Sequence, residues 1–150
     1  MSDAPLPGLA PMIGVPNAAE AIAFYEQAFG AKRVGPYLTL PEGGVVHAEI
    51  ALGESLVMLA EHAVGGAASP KALGEATARF SLTVADVDAV WSTAVAAGAE
   101  IVLPLGDQFY GHRSGRLRDP FGHEWVLGQV LETLSPEEMQ RRMDAMMGES

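Results

Sequence analysis

The sequence predicts an α+β fold in which two tandem βαβββ modules are followed by a C-terminal helix. A capped amphipathic helix that stops at a Gly-Ala pair occurs twice, ending at Gly30 and again at Gly98. Each helix follows an apolar strand and precedes several short strands, so the repeated unit is βαβββ. At 150 residues the chain has the size of one domain. Within this single domain, 1–150, the modules fall at about 8–62 and 77–130, and the final helix at about 135–147.

The first module begins with an apolar strand at residues 8–15. Asn17 occupies the position of a helix N-cap, and Glu20 follows at the spacing of a capping box. Apolar side chains then recur at helical spacing as far as Phe29, and Gly30 suits the position just after a helix. Glycine-containing turns separate the remaining strands, which are predicted at 32–40, 45–52 and 55–61.

The second module follows a stretch rich in Gly, Ala and Ser, residues 63–76, which we interpret as a linker or a mobile flap. Its first strand alternates polar and apolar side chains over residues 79–84. Asp86 caps the next helix, whose apolar stripe includes Trp91. Three more strands are predicted at 100–105, 108–118 and 123–129.

The C-terminal helix begins at Ser135, with Pro136 at its first helical position and acidic residues in its first turn. Four methionines at helical spacing form its apolar stripe: Met139, Met143, Met146 and Met147. A methionine stripe usually serves packing. We therefore expect this helix to dock on the body of the protein or on a second subunit, and contact with a ligand is the alternative.

The composition excludes several classes of function. A formal net charge of −10 argues against a nucleic-acid partner, because phosphate binding depends on clustered Lys and Arg. No run of eighteen or more apolar residues is present, so we predict no membrane partner. The start of the chain lacks the pattern of a secretory signal, and the absence of cysteine excludes disulfides and thiolate-bound metals. We predict a cytoplasmic protein.

Two motifs, taken with the doubled module order, carry a family resemblance. Residues 23–31 read AFYEQAFGA in the first helix, and residues 118–125 read RDPFGHEW before the last strand. Together they resemble the vicinal oxygen chelate superfamily of glyoxalases, bleomycin resistance proteins and dioxygenases. The segments 47–49, 108–111 and 135–139 are similar to the PhnB-like subgroup of glyoxalase-like proteins. The resemblance extends over nearly the whole chain.

The resemblance implies that the sheets form a cup, with the helices on its convex side and a small-molecule ligand on its concave side. Many members dimerise, so it also implies a homodimer. Enzymes of the family bind a divalent metal such as Zn, Ni, Mn or Fe at four strand positions, typically through His or Gln, Glu, His and Glu. Carried over through the helix and turn motifs, these positions are Ala10, Leu59, Arg79 and Val126.

None of these four side chains can ligate such a cation, since the site needs imidazole or carboxylate donors. We therefore predict that the protein has no metal cofactor. Residues two apart on a strand share a face, so a small error in register leaves one alternative. This alternative is a displaced site formed by His47, Glu61 and Glu124.

Two polar residues of the predicted strand 45–52 are the leading site candidates. His47 and Glu49 lie on the same face and are expected to point into the cup, where they form an acid/base pair. Burial would raise the pKa of Glu49 unless His47 or an arginine keeps it charged. A solvated polar pair without a function is the alternative.

Further side chains are expected around the same cup. Arg79 and Arg116 offer guanidinium forks for a carboxylate or phosphate, or for a neighbouring glutamate. Gln108 and Tyr110 alternate in the predicted strand 108–118 and wall the mouth of the cup. Tyr37 adds a surface on which an aromatic ligand can stack.

Two functions of different classes follow. The first is metal-independent binding of a small polar or aromatic metabolite or drug, as in bleomycin resistance proteins, where an acidic cleft captures a cationic ligand. The second is lyase or isomerase chemistry of the glyoxalase type, in which His47 and Glu49 move a proton. A purely structural role is a third hypothesis.

Overall fold

The computed structural model describes residues 7–148. Its first module contains β1 (Met12–Val15), α1 (Ala18–Phe29), β2 (Lys32–Arg33), β3 (Leu38–Thr39), β4 (Val45–Leu52) and β5 (Ser55–Glu61). A short helix, α2 (Pro70–Leu73), connects the modules. The second module contains β6 (Arg79–Thr83), α3 (Val87–Ala97), β7 (Glu100–Asp107), β8 (His112–Arg118) and β9 (Glu124–Val130). The final helix is α4 (Pro136–Gly148).

The predicted α+β fold is confirmed. The strands form two mixed sheets, ordered β1-β5-β4-β2 with β3 also on β4, and β6-β9-β8-β7. In each module the first strand runs parallel to the last one, and the other pairings are antiparallel. The two sheets therefore repeat one topology, as the doubled sequence pattern indicates.

Helix α1 begins and ends as its sequence predicts. The Oδ1 of Asn17 accepts a hydrogen bond of 2.9 Å from the backbone N–H of Glu20. At the other end the N–H of Gly30 donates to the carbonyl of Glu26, and the N–H of Ala31 donates to that of Tyr25. Both ends of the helix thus satisfy backbone groups that a helix leaves without partners.

Two predicted strands have different bounds. The expected strand 32–40 is divided into β2 and β3, because Gly35 has a φ of 70° and Pro36 has no N–H to donate to a neighbouring strand. The expected strand 108–118 begins only at His112. Residues 108–111 instead form a hairpin turn, in which Gly111 has a φ of 87° and donates its N–H to the carbonyl of Gln108.

The stretch predicted to be a linker or flap is packed against both modules. Ser69 is buried and accepts from the N–H of Ala72, which caps α2. A Cβ placed on Gly14 would lie 1.8 Å from the carbonyl oxygen of Ala67, so the stretch crosses β1 at backbone distance. The N–H of Lys71 donates to the carbonyl of Phe121 in the second module. Its small residues therefore permit close packing.

An aromatic cluster joins the two modules. Helices α1 and α3 pack against each other, and three rings of α1 contact rings of the second module. The ring centroids of Phe29 and Trp125 are 5.0 Å apart, and those of Tyr25 and Trp125 are 5.6 Å apart. Phe24 meets Phe121 edge-on at 6.1 Å. One continuous core therefore extends across the junction of the modules.

A buried carboxylate lies within this cluster. Asp119 is 4% exposed, and its Oδ2 accepts from the hydroxyl of Tyr25 at 2.6 Å and from the indole N–H of Trp125 at 3.0 Å. Its Oδ1 accepts from the backbone N–H groups of Phe121 and His123 at 2.9 and 3.0 Å. Asp119 thus holds the turn before β9 and binds it to α1 of the other module.

The stability of the protein should fall at high pH through Tyr25. Burial raises the pKa of this hydroxyl well above its usual range, and the carboxylate of Asp119 raises it further. The folded state therefore holds the proton more tightly than the unfolded state, whose tyrosine titrates near pH 10. The resulting stability is complete below about pH 10 and is lost as the pH rises further, by about 1.4 kcal/mol per pH unit.

Urea unfolding between pH 9 and pH 11.5 measures this loss. The free energy of unfolding should decline less in Tyr25→Phe than in wild type. In Tyr37→Phe, which leaves Tyr25 in place, it should decline as much as in wild type. Equal declines in wild type and Tyr25→Phe would contradict the assignment.

Helix α4 lies at the surface. Its contact with the body includes Arg142, which donates to the carbonyl of Phe109 and pairs with Glu132 at 2.7 Å. Met143 and Met146 are 41% and 47% exposed, so the methionine stripe is not buried as the expected docking on the body would require. Docking of this helix on a second subunit stays a prediction.

Within residues 7–148, no helix combines the length and the apolar character needed to cross a bilayer.

Candidate functional site

In each sheet alternate side chains point toward the helix side, against α1 or α3, and toward the opposite side, which we call the open face. In the first sheet Ala48 pairs with Leu59 on the buried helix side, whereas Glu49 pairs with Met58 on the open face. In the second sheet Leu117 is fully buried and faces the core. Its neighbours on the same strand, Arg116 and Arg118, therefore lie on the open face.

The structure brings His47 and Glu49 together as predicted. The Nε2 of His47 lies 3.1 Å from the Oε2 of Glu49, within hydrogen-bond distance. The side chains are only 17% and 3% exposed, so both are largely withdrawn from solvent. A histidine beside a carboxylate can donate a hydrogen bond to a ligand or transfer a proton. This pair is the leading candidate for a functional site on the first sheet.

Arg79 lies on the open face of the second sheet, as its alternation with Phe80 predicts, but it is engaged. Its Nε donates to Glu124 at 3.1 Å, and Arg118 approaches the same carboxylate at 3.4 Å. Arg118 also pairs with Glu100 at 3.3 Å. These arginines lower the pKa of Glu124, with the hydrogen bond from Arg79 contributing most. Arg79 and Glu124 thus belong to a row of alternating charges.

The structure does not assemble the displaced metal site. The carboxylate of Glu61 accepts from the backbone N–H of Ala18 at 2.9 Å and from that of Val45 at 3.1 Å, so it caps α1 from a distant strand. Glu124 is held by two arginines. In the part of the chain that the structure describes, no three His, Asp or Glu side chains are placed to hold a metal ion.

The positions carried over from the family also do not fit a metal. Leu59 is fully buried on the helix side, so the expectation that it lies in the cup is wrong by one residue. Its neighbours on the open face are Met58 and Ala60, which offer neither imidazole nor carboxylate. Arg79 and Val126 lie on the open face of the second sheet and are equally unsuited as ligands.

Gln108 and Tyr110 lie in the β7–β8 hairpin turn, not in a strand as predicted. The amide of Gln108 donates to the carbonyls of Gly106 and Ser114 at 3.2 and 3.0 Å. The hydroxyl of Tyr110 is hydrogen-bonded to that of Ser114, which is 3% exposed. The turn therefore closes the end of the open face near Ser114, two residues before Arg116.

Tyr37 and Arg116 have contrasting surroundings. Tyr37 lies between β2 and β3, where the guanidinium of Arg33 is 4.9 Å from the centre of its ring. Its aromatic face therefore already has a cationic partner.

Arg116 lies on the open face opposite Val126 of β9 and Leu103 of β7. Its Nε is buried and has no hydrogen-bond partner within residues 7–148.

Four of the cavities on the described part of the chain have volumes of about 190 to 590 Å³. The largest of these four lies beside α2 and the charged row and is lined in part by Lys71, Glu100, Arg118 and Glu124. None of the four is lined by His47, Glu49 or Arg116. Arg79 lines another of the four. The predicted site residues therefore do not surround one common cavity.

Comparison with known proteins agrees with this architecture. The family model described as the Glyoxalase/Bleomycin resistance protein/Dioxygenase superfamily matches residues 9–127. An uncharacterized protein of Mycobacterium bovis, Mb0911c, is 38% identical over 143 residues, which cover 93% of each chain. The similarity therefore extends across both modules.

Solved structures show the same fold. TioX from Micromonospora sp. ML1 is 26% identical, with a TM-score of 0.62 over 86% of this chain and all of its own. The PhnB protein from Bacillus cereus is 22% identical, with a TM-score of 0.65 over 83% of this chain and all of its own.

Proposed function

Because this chain belongs to the glyoxalase/bleomycin resistance protein/dioxygenase superfamily, we propose that it binds a small polar or aromatic metabolite or drug on the open face of its sheets. The observation that carries this proposal is the His47–Glu49 pair. A hydrogen-bonded pair that is largely shielded from water, on the sheet face opposite α1, is suited to bind a polar group of a ligand.

The proposed binding does not use the metal site of the family. The four corresponding positions offer no imidazole or carboxylate, and the nearby carboxylates already have other partners: Glu61 holds two backbone amides, and Glu124 holds two arginines. Polar side chains and apolar surface supply the contacts instead. The protein then acts as a homodimeric, cytoplasmic binding protein: the dimer is what the family resemblance implies, and the location is what the sequence predicts.

Catalysis is the second candidate, and the same pair favours it. At 3.1 Å, Glu49 is close enough to orient the His47 ring and to stabilise it when it takes up a proton. Such a pair can remove a proton beside a carbonyl group and return it elsewhere, as an isomerase or lyase requires. Proton exchange in heavy water at a carbon of the bound ligand, detected by NMR, would separate this candidate from simple binding.

Replacement of either member of the pair should weaken binding about tenfold or more, since a hydrogen bond to a charged group contributes about 1.5–3 kcal/mol. A metabolite and drug library is screened by thermal shift, and the strongest ligand is then titrated into His47→Ala and Glu49→Gln. Glu54→Gln, in the exposed β4–β5 turn, is the matched control and should bind as wild type does. Unchanged affinity in both site variants, with the fold intact, would place the site elsewhere.

A further inference from the structure

Arg116, on the open face of the second sheet, has a buried donor without a hydrogen-bond partner within residues 7–148. Within residues 7–148, its Nε is the buried side-chain nitrogen that lacks a hydrogen bond. The neighbouring positions across the sheet are Val126 and Leu103, and neither can accept one. Among the residues that the structure describes, this N–H of the guanidinium group is therefore shielded from water and has no acceptor.

The other arginines of the chain are all engaged. Arg33 lies over the ring of Tyr37. Five more form ion pairs: Arg79, Arg113, Arg118, Arg141 and Arg142. The chain has nineteen acidic residues against nine basic ones, so partners for an arginine are abundant. That Arg116 has no ion pair with any acidic residue in the described part of the chain reflects its position in the sheet.

An unbonded, shielded guanidinium N–H is costly. A buried donor without an acceptor costs about 1–3 kcal/mol, and more when the group is charged. This cost is removed when an oxyanion accepts from the guanidinium, which presents its donors in a planar fork that matches carboxylate and phosphate. A neutral carbonyl can also accept from this N–H, but only an oxyanion pairs with the positive charge as well, so an anion should bind more tightly.

The neighbours of Arg116 indicate the rest of the ligand. Val126 and Leu103 flank it with apolar surface, and Leu103 is 50% exposed. Tyr110 and Ser114 bond to each other and close one end. At the other end Arg118 is already paired with Glu100 and Glu124. An oxyanion on Arg116 would therefore have an apolar group of the ligand beside it.

We propose that Arg116 binds the oxyanion, carboxylate or phosphate, of a small ligand whose apolar part packs on Val126 and Leu103. This inference rests on the proposed binding function and specifies its ligand class. It also changes the charge expected of the ligand. Although the protein carries a net charge of −10, the site is selective for anions and not for cations.

The test compares probes of one shape and different charge. Benzoate, phenylphosphate and neutral benzamide are titrated into the full chain, and the dissociation constants are measured by NMR. Benzoate or phenylphosphate should bind at least tenfold more tightly than benzamide, and Arg116→Met should abolish this preference. Arg113→Met is the matched control, because it removes one charge from the same strand on the other face and should keep the preference.

Stability supplies an independent readout. Arg116→Met removes the unbonded N–H and keeps an unbranched side chain, so without a ligand its Tm should equal or exceed that of wild type. Arg116→Lys, which keeps the charge but not the fork, should lose part of the preference for anions.

Two results would overturn the inference: equal binding of benzoate and benzamide by wild type, or full anion preference in Arg116→Met and Arg116→Lys. A neutral ligand lost in Glu49→Gln but retained in Arg116→Met would also overturn it, while leaving the proposed function standing.

Discussion

Replacement of Asp119 by alanine should lower the free energy of unfolding by about 3–5 kcal/mol, a large part of the stability of a domain of this size. The carboxylate accepts four hydrogen bonds within the core, from Tyr25, Trp125 and two backbone N–H groups. Alanine leaves all four donors without an acceptor and opens a cavity between the modules. Urea unfolding followed by tryptophan fluorescence and by circular dichroism measures the loss.

Asp119→Asn separates the contribution of the acceptors from that of the side-chain volume. One amide oxygen replaces two carboxylate oxygens, so either the pair formed by Tyr25 and Trp125 or the two backbone donors meet an NH₂ group. We expect a loss of about 2–3 kcal/mol, smaller than that of alanine. Asp144→Ala, on the exposed face of α4, is the matched control and should change stability by about 0.5 kcal/mol or less. A loss for Asp119→Ala no larger than that of this control would contradict the role.

The fold was predictable where its determinants are local in sequence. The bond from Asn17 to Glu20 spans three residues, so the start of α1 could be predicted from residue types alone. The role of Asp119 could not be predicted in this way, because its partner Tyr25 is 94 residues away. Glu61 likewise caps α1 from 43 residues away, and it was therefore interpreted as a possible metal ligand. Long-range hydrogen bonds of this kind leave no periodic signal in the sequence.

The residues of the candidate site also differ in how well local sequence patterns predict their surroundings. His47 and Glu49 were predictable because side chains two apart on one strand share a face. Gln108 and Tyr110 were assigned to a strand because they alternate with other residues, but the positive φ of Gly111 turns the chain before β8. Arg116 was placed correctly on the open face of its strand. Its lack of a partner depends on Val126 and Leu103 of two other strands, which no local pattern could indicate.

Substitution of Gly115 should have the second large effect on stability, because helix α3 packs directly against the backbone at this residue. A Cβ on this residue would lie 2.5 Å from Cη2 of Trp91 in α3 and 2.9 Å from the carbonyl oxygen of Leu103 in β7. The backbone of β7 cannot yield as a flexible side chain can, so Gly115→Ala should lower the free energy of unfolding by about 3 kcal/mol. Gly106→Ala, whose Cβ would be 4.0 Å from its nearest neighbour, should change it by about 0.5 kcal/mol or less.

A double-mutant cycle with Trp91→Leu tests whether the indole ring is the obstacle. Trp91→Leu alone should be destabilising, since it removes buried ring atoms from the junction of α3 with its sheet. In that background Gly115→Ala should cost at least about 1 kcal/mol less than in wild type, because leucine leaves room for the methyl group. The carbonyl of Leu103 remains in place, so part of the cost should persist. Additive losses would mean that β7 alone excludes a side chain at residue 115, and that the ring of Trp91 adapts to it.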